Sequence, residues 1–205
     1  MTLDIVDLDA RAVRASEQVV AKTADEDLAR PTPCAGWTLA DLLVHMTAQH
    51  DGFAAAATGV GANLERWRPE PRDPATVTAQ TLVTDYLAAA GRVLDAFAAA
   101  ALDQKFSLPE LSAQVRFPAR QAIGFHFIDY VVHGWDVARS LDVRYDLDPE
   151  VLDAAVRAAE QVPGGERRLQ PGAAFAPAIP PRAGHTQLDT IVALLGRRPE
   201  WPALP

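Results

Sequence analysis

The chain has 205 residues, enough for one sizeable core, and its 49% hydrophobic and 22% charged content is that of a folded globular protein, which excludes a disordered or fibrous one. Its 27 acidic against 19 basic residues leave a net charge of −8 that repels phosphate backbones, so nucleic acid is not expected as a partner. No apolar run approaches the roughly 20 residues needed to span a bilayer, Met1 to Asp9 lacks the features of a secretory signal, and the single cysteine excludes an internal disulfide or a cysteine-based zinc site; a cytoplasmic protein is expected, with no membrane partner, in which any metal relies on histidine and carboxylate.

Alanine-rich segments with helical periodicity and few β-branched alternations predict an all-α chain with strands rare or absent. A first helix is expected from about Leu8 to Asp25, with Val13, Val19 and Val20 apolar, stopped by the prolines at 31 and 33. In GWTLADLLVHM, Thr38 is the N-cap of the second helix, Asp41 completes a capping box, and Trp37 with Leu42 forms a hydrophobic staple; the helix runs to about Ala57. Gly59 to Pro74 reads as a long solvated loop, with Arg66 and Arg68 flanking Trp67. A third helix follows from about Thr76 to Leu102, facing the core with Leu82, Tyr86, Leu94 and Phe97.

Pro118 suits the first turn of a fourth helix that reaches about Leu141 and is apolar nearly all round. Its Gly124 and Gly134 each cost on the order of 1 kcal/mol against Ala inside a helix, which predicts a close approach by a neighbouring backbone or a ligand. A fifth helix spans about Pro149 to Gln161. The proline-rich strap AFAPAIPPRAGH and the short helix LDTIVALLG, ending at Gly196, complete the chain. One domain is expected, with a bundle core over 1–162 and the strap and terminal helix over 163–205.

Four of the five histidines, His45, His50, His126 and His133, fall on the second and fourth helices. Helical projection puts His126, Asp129 and His133 on one face of the fourth helix, at spacings of three and four. A ligand from the second helix would complete a His/carboxylate/His set with an open position for water or substrate, as catalytic zinc sites have. An Asp and a His one turn apart also form a buried ion pair, so spacing alone leaves both readings open. On the second helix His50 lies in the middle of the apolar stripe of Leu39, Leu43, Met46 and Phe53, whereas His45 lies at its edge beside Gln49; periodicity slightly favours His50 as the ligand. His126 reads either as an outer partner of a ligand or as a satisfied core histidine. Asp136 is expected to pair with Arg139 on the helix surface, Trp37 and Trp135 to be core aromatics or to border a pocket, and Cys34, just before a helix start, to be buried and inert or to have its pKa lowered by the helix N-terminus.

PTPCAGWTLADLLVHM together with DYVVHGWDVARSL resembles the metal-binding domain of the mycothiol-dependent maleylpyruvate isomerases, part of the DinB/YfiT-like superfamily, and the tail FAPAIPPRAGHTQLDTIVALLGRRPEW is similar to that family's stand-alone actinobacterial branch. The resemblance implies a four-helix bundle with a long crossover, extra short C-terminal helices, and a divalent ion held by His45, Asp129 and His133, with His50 and His126 as outer or alternative ligands. It implies Zn2+, with Ni2+ compatible, mycothiol as co-substrate, and a small electrophile as its partner in thiol transfer or isomerisation; a homodimer is compatible. The family's acidic ligand is Glu, and Asp129 is one methylene shorter, so the ion must sit nearer the helix or be reached through water. The isomerases carry a further C-terminal domain for which this chain leaves no room, so maleylpyruvate isomerisation itself is not expected. The alternatives are a metal-assisted hydrolase using bound water and a non-catalytic metal- or ligand-binding helical scaffold.

Overall fold

The computed structural model describes residues 4–71, 73, 76–170 and 173–202. Six α-helices lie among these residues: α1 (Ile5–Val20), α2 (Leu39–Ala57), α3 (Ala79–Ala99), α4 (Ala119–Leu141), α5 (Pro149–Gln161) and α6 (Gln187–Leu194). Two short strands, β1 (Lys105–Ser107) and β2 (Arg116–Pro118), pair antiparallel between α3 and α4. None of the described helices is long and apolar enough to cross a membrane.

Helices α1 to α4 form the bundle. Helix α1 packs against α4 and α3, and α2 against α3 and α4, so α1 and α2, consecutive in sequence, lie at opposite corners, as do α3 and α4. The connections between them must cross an end of the bundle, which explains why they are long where neighbours in an up-and-down bundle need only a few residues. Helices α5 and α6 pack on one another outside, and α5 also lies against α1 and α4. The core divides into a central cluster around Leu42, Leu43, Met46, Leu82, Tyr86 and Tyr130, a second under α5 and α6 around Phe127 and Val131, and a third at the hairpin end around Phe53, Trp67, Phe97 and Phe106.

Local chemistry accounts for the helix boundaries. The Asp41 amide donates to Thr38 Oγ1 at 3.2 Å and the Thr38 amide to Asp41 Oδ2 at 2.9 Å, closing the expected capping box and setting the start of α2. Helix α1 begins earlier than the periodicity predicts, because the Asp4 side chain caps it by accepting from the Val6 amide. The same helix stops at Val20, five residues short of the expected end, and Asp25–Asp27 forms a separate 3-10 turn. The sequence predicts no strand between α3 and α4, but the hairpin there buries Phe106 and carries the chain into α4, with Pro118 as the cap just before the helix.

The two glycines of α4 differ. A Cβ at Gly134 would overlap the Tyr145 hydroxyl and ring, so the close approach there is real, though it comes from a side chain. At Gly124 nothing from another described segment lies within 4 Å of the point a Cβ would occupy, so no neighbouring backbone approaches there. On the loop after α2, Trp67 is not solvated but buried, and its indole donates to Gly61 O at 2.8 Å. Arg68 forms an exposed pair with Glu65 at 2.8 Å.

Candidate metal centre

Helix α2 lays Leu39, Leu42, Leu43 and Met46 into the core, which turns His45 to the seam with α4, where it is only half-buried. Opposite it, α4 presents Asp129 and His133 one turn apart. His133 Nε2 lies 3.4 Å from Asp129 Oδ1, with the His133 side chain 7% and the Asp129 side chain 22% exposed. The rings of His45 and His133 meet edge to face at 5.4 Å between centroids. One donor atom from each of His45, Asp129 and His133 lies within 4.8 Å of the other two. Ligands of one tetrahedral ion at about 2.1 Å stand roughly 3.4 Å apart; the Asp129–His133 edge already has that length, and the His45 donor lies within 4.8 Å of both. The donor chemistry, two imidazoles and a carboxylate at a partly open rim, fits a divalent cation.

The other face of His133 is turned inward, toward Asp136, Arg197 and the half-buried Cys34. Its Nδ1 lies 3.0 Å from Asp136 Oδ2, and the same oxygen accepts from Arg197 Nη2 at 3.0 Å and from the Cys34 thiol at 3.2 Å. Asp136 is completely buried and does not pair with Arg139 as expected. Arg139 instead donates to the Trp201 carbonyl and lies over the Trp135 ring at 5.9 Å. The reason is helical phase: position 136 is one turn from Val132 and Ser140 on the buried side of α4, whereas 139 is at its margin. Cys34, His133 and Asp136 also bring donor atoms within 4.8 Å of one another, but Arg197 donates to both Cys34 and Asp136, so a guanidinium already supplies the positive charge there.

These surroundings set the protonation of the two imidazoles. Burial and the neighbouring His133 push His45 down to about 4, against the opposing pull of Asp129. Burial disfavours the imidazolium of His133, yet Asp129 and the hydrogen bond to Asp136 outweigh it and raise the group to about 10. Burial also works against the Asp136 carboxylate, but Arg197 and His133 overcome it and hold that group down to about 2.

A turn over residues 31–38 roofs this end of the site. Thr32 Oγ1 donates to the carbonyls of Cys34 and Trp37, and Gly36 takes φ +85°, a conformation that favours glycine. The turn sets Trp37 against His45, with ring centroids 4.8 Å apart. Trp37 is 37% exposed, so of the two roles its sequence position allows it is the border of the site and not a core aromatic. Trp135 is buried as expected.

His50 and His126 stand apart from this centre. His126 Nδ1 lies 2.7 Å from Asp9 Oδ1 on α1, and its Nε2 lies 3.0 Å from His50 Nδ1 on α2, all three side chains being buried. His50 stacks on Tyr130 at 3.9 Å between centroids. Its Nε2 and Asp9 Oδ2 have no hydrogen-bond partner among the described residues. The structure thus places His50 in the core stripe, as its projection indicated, and joins His126 to it, away from His133. Sequence reasoning misses Asp9 and Arg197. Asp9 has a detectable signal, an acid on the apolar side of an otherwise amphipathic helix, whereas Arg197 in GRRPEW has none.

Residues 10–138 match the family model described as mycothiol maleylpyruvate isomerase N-terminal domain. Two curated Mycobacterium tuberculosis sequences, the uncharacterized protein Rv0738 of strain H37Rv and the uncharacterized protein MT0763 of strain CDC 1551, are each 30% identical to the chain over 91% of its length and 94% of theirs. Among solved structures, mycothiol-dependent maleylpyruvate isomerase is similar with a TM-score of 0.56, and a histidine-to-alanine mutant of it with 0.57. Each covers 77% of this chain and 68% of the isomerase at 12% identity, a likeness of fold.

Proposed function

The chain belongs to the mycothiol maleylpyruvate isomerase N-terminal domain family, and from that premise we propose that it is a metal-dependent enzyme that activates a low-molecular-weight thiol, mycothiol or a close analogue, for transfer to or isomerisation of a small electrophile. The observation that carries the reading is the convergence of His45, Asp129 and His133 from two helices at a half-open rim. In this reading those three residues hold a divalent ion, zinc being favoured by the imidazole and carboxylate donors, with Ni2+ compatible. A divalent ion bound there would lower the pKa of a coordinated thiol or water and polarise a carbonyl.

The chain's own residues prepare the site for such chemistry. His45 is held as the neutral imidazole that a metal ligand must be, whereas His133, raised to about 10 beside Asp129 and Asp136, would give up its Nε2 proton on binding an ion. His133 gives Nδ1 to Asp136 and turns Nε2 toward Asp129. Trp37 lines the opening with an apolar ring against which the carbon skeleton of a substrate can pack. No protein nucleophile is required. Cytoplasm, where small thiols are kept reduced, is the compartment this reading requires.

The test is elemental analysis of untagged wild type beside His45→Ala and His133→Ala, followed by turnover of a panel of electrophiles with and without added thiol. One ion per wild-type chain, lost in both variants, and turnover that depends on thiol are expected. Equal metal content in all three proteins refutes the site, and turnover without thiol replaces the transferase reading with metal-assisted hydrolysis.

A further inference from the structure

Arg197 reaches the centre from the far end of the chain, beyond the residues that match the family model. It follows α6 directly. Its amide donates to Val192 O at 2.8 Å, and the preceding Gly196 takes φ +81° in a turn where a Cβ would overlap the Ala176 backbone. The turn is thus packed closely against the strap at Ala176. The guanidinium then grips Asp136 with two nitrogens, Nε to Oδ1 at 3.4 Å and Nη2 to Oδ2 at 3.0 Å, and Nη1 donates to Leu195 O at 3.2 Å. It is 7% exposed and has Phe175 of the strap 5.8 Å from its carbon.

We propose that Arg197 and Asp136 are a positioning pair for the ion-binding face of His133, so that docking of the tail segment from Gln187 to Arg197 and ion binding at His45, Asp129 and His133 are energetically linked. The inference rests on the metal reading above. Its physical basis is geometric. A ring whose Nδ1–H is held by a carboxylate has its rotation fixed, with Nε2 aimed the opposite way. Asp136 can hold that ring only while its own carboxylate is fixed, and the two-nitrogen grip of Arg197 fixes it. Linkage is reciprocal: if the docked tail favours the ion, the ion must favour the docked tail.

The experiment uses Co2+ alone as the probe, with its visible absorption bands reporting ligand geometry and chelator competition reporting affinity. Thermal denaturation establishes that each variant is folded. Arg197→Met is expected to weaken Co2+ binding by about 10- to 100-fold and to shift the bands, and Arg197→Lys to recover part of both. In wild type, Co2+ is expected to slow amide exchange in 187–197. A folded Arg197→Met protein with wild-type affinity and bands overturns the proposal, because a merely structural ion pair would change melting alone. If Arg197→Met does not fold, the exchange measurement on wild type decides, and unchanged exchange in 187–197 overturns the linkage. Failure of wild type to take up Co2+ would instead overturn the metal reading itself, and this inference with it.

Discussion

Replacing His50 by Leu should change how stability depends on pH. Burial and the adjacent His126 hold His50 well below the ordinary histidine range, so it is neutral in the folded protein at mildly acidic pH. In the unfolded chain the same group takes up a proton below about pH 6.5. Over that interval the unfolded state binds one more proton, so the stability contributed by neutral His50 is present above about 6.5 and is lost as pH falls. The loss is about 1.4 kcal/mol per pH unit, or roughly 2 kcal/mol by about pH 5. His50→Leu abolishes that one-proton slope. At neutral pH the variant should be less stable by about 1–3 kcal/mol, because His126 Nε2 loses its 3.0 Å partner in a buried setting. His45, which lies outside this hydrogen-bonded group, is present in both proteins and cancels in the comparison. Urea unfolding followed by circular dichroism at several pH values is the assay. The two stability curves should converge on acidification by about 1.4 kcal/mol per unit; parallel curves would show that His50 is already charged in the fold and refute the reasoning.

Gly134→Ala should lower stability by about 1–3 kcal/mol, since the new methyl meets the Tyr145 ring inside a packed core. An unchanged denaturation midpoint would contradict that contact. Thr38→Ala removes the hydroxyl that caps the start of α2 and should cost about 1 kcal/mol in urea unfolding. Because that turn also sets Trp37 against the His45 ring, metal affinity measured on the folded variant should fall as well, and unchanged stability would refute the cap's role.

The elements that were legible are those whose signals are local. The Thr38/Asp41 box, the bounds of α5 and the Gly196 stop each depend on groups within a few residues of one another, and all three stand where the sequence placed them. The candidate centre was legible only in part. Projection correctly placed His50 within the apolar stripe of α2 and His45 at its edge, yet that geometry favours the edge residue, because a substrate reaches a rim and not a core. On α4, the shared face of His126, Asp129 and His133 divides in space: His126 meets His50 and Asp9, whereas the other two meet His45.

What the sequence determined by itself was the helical character of the main segments and most of the apolar side chains that face inward from them, since caps, periodicity and proline act over one or two turns. Tertiary structure alone decided which inward polar groups meet. Asp136 finds Arg197 across 61 residues and Cys34 across 102, and His126 finds Asp9 across 117. A buried charge or polar group must be matched by some group in the same small volume, and the packing of α1 against α4, together with the docking of the 31–38 turn and of the tail after α6 onto α4, brings the matching groups there.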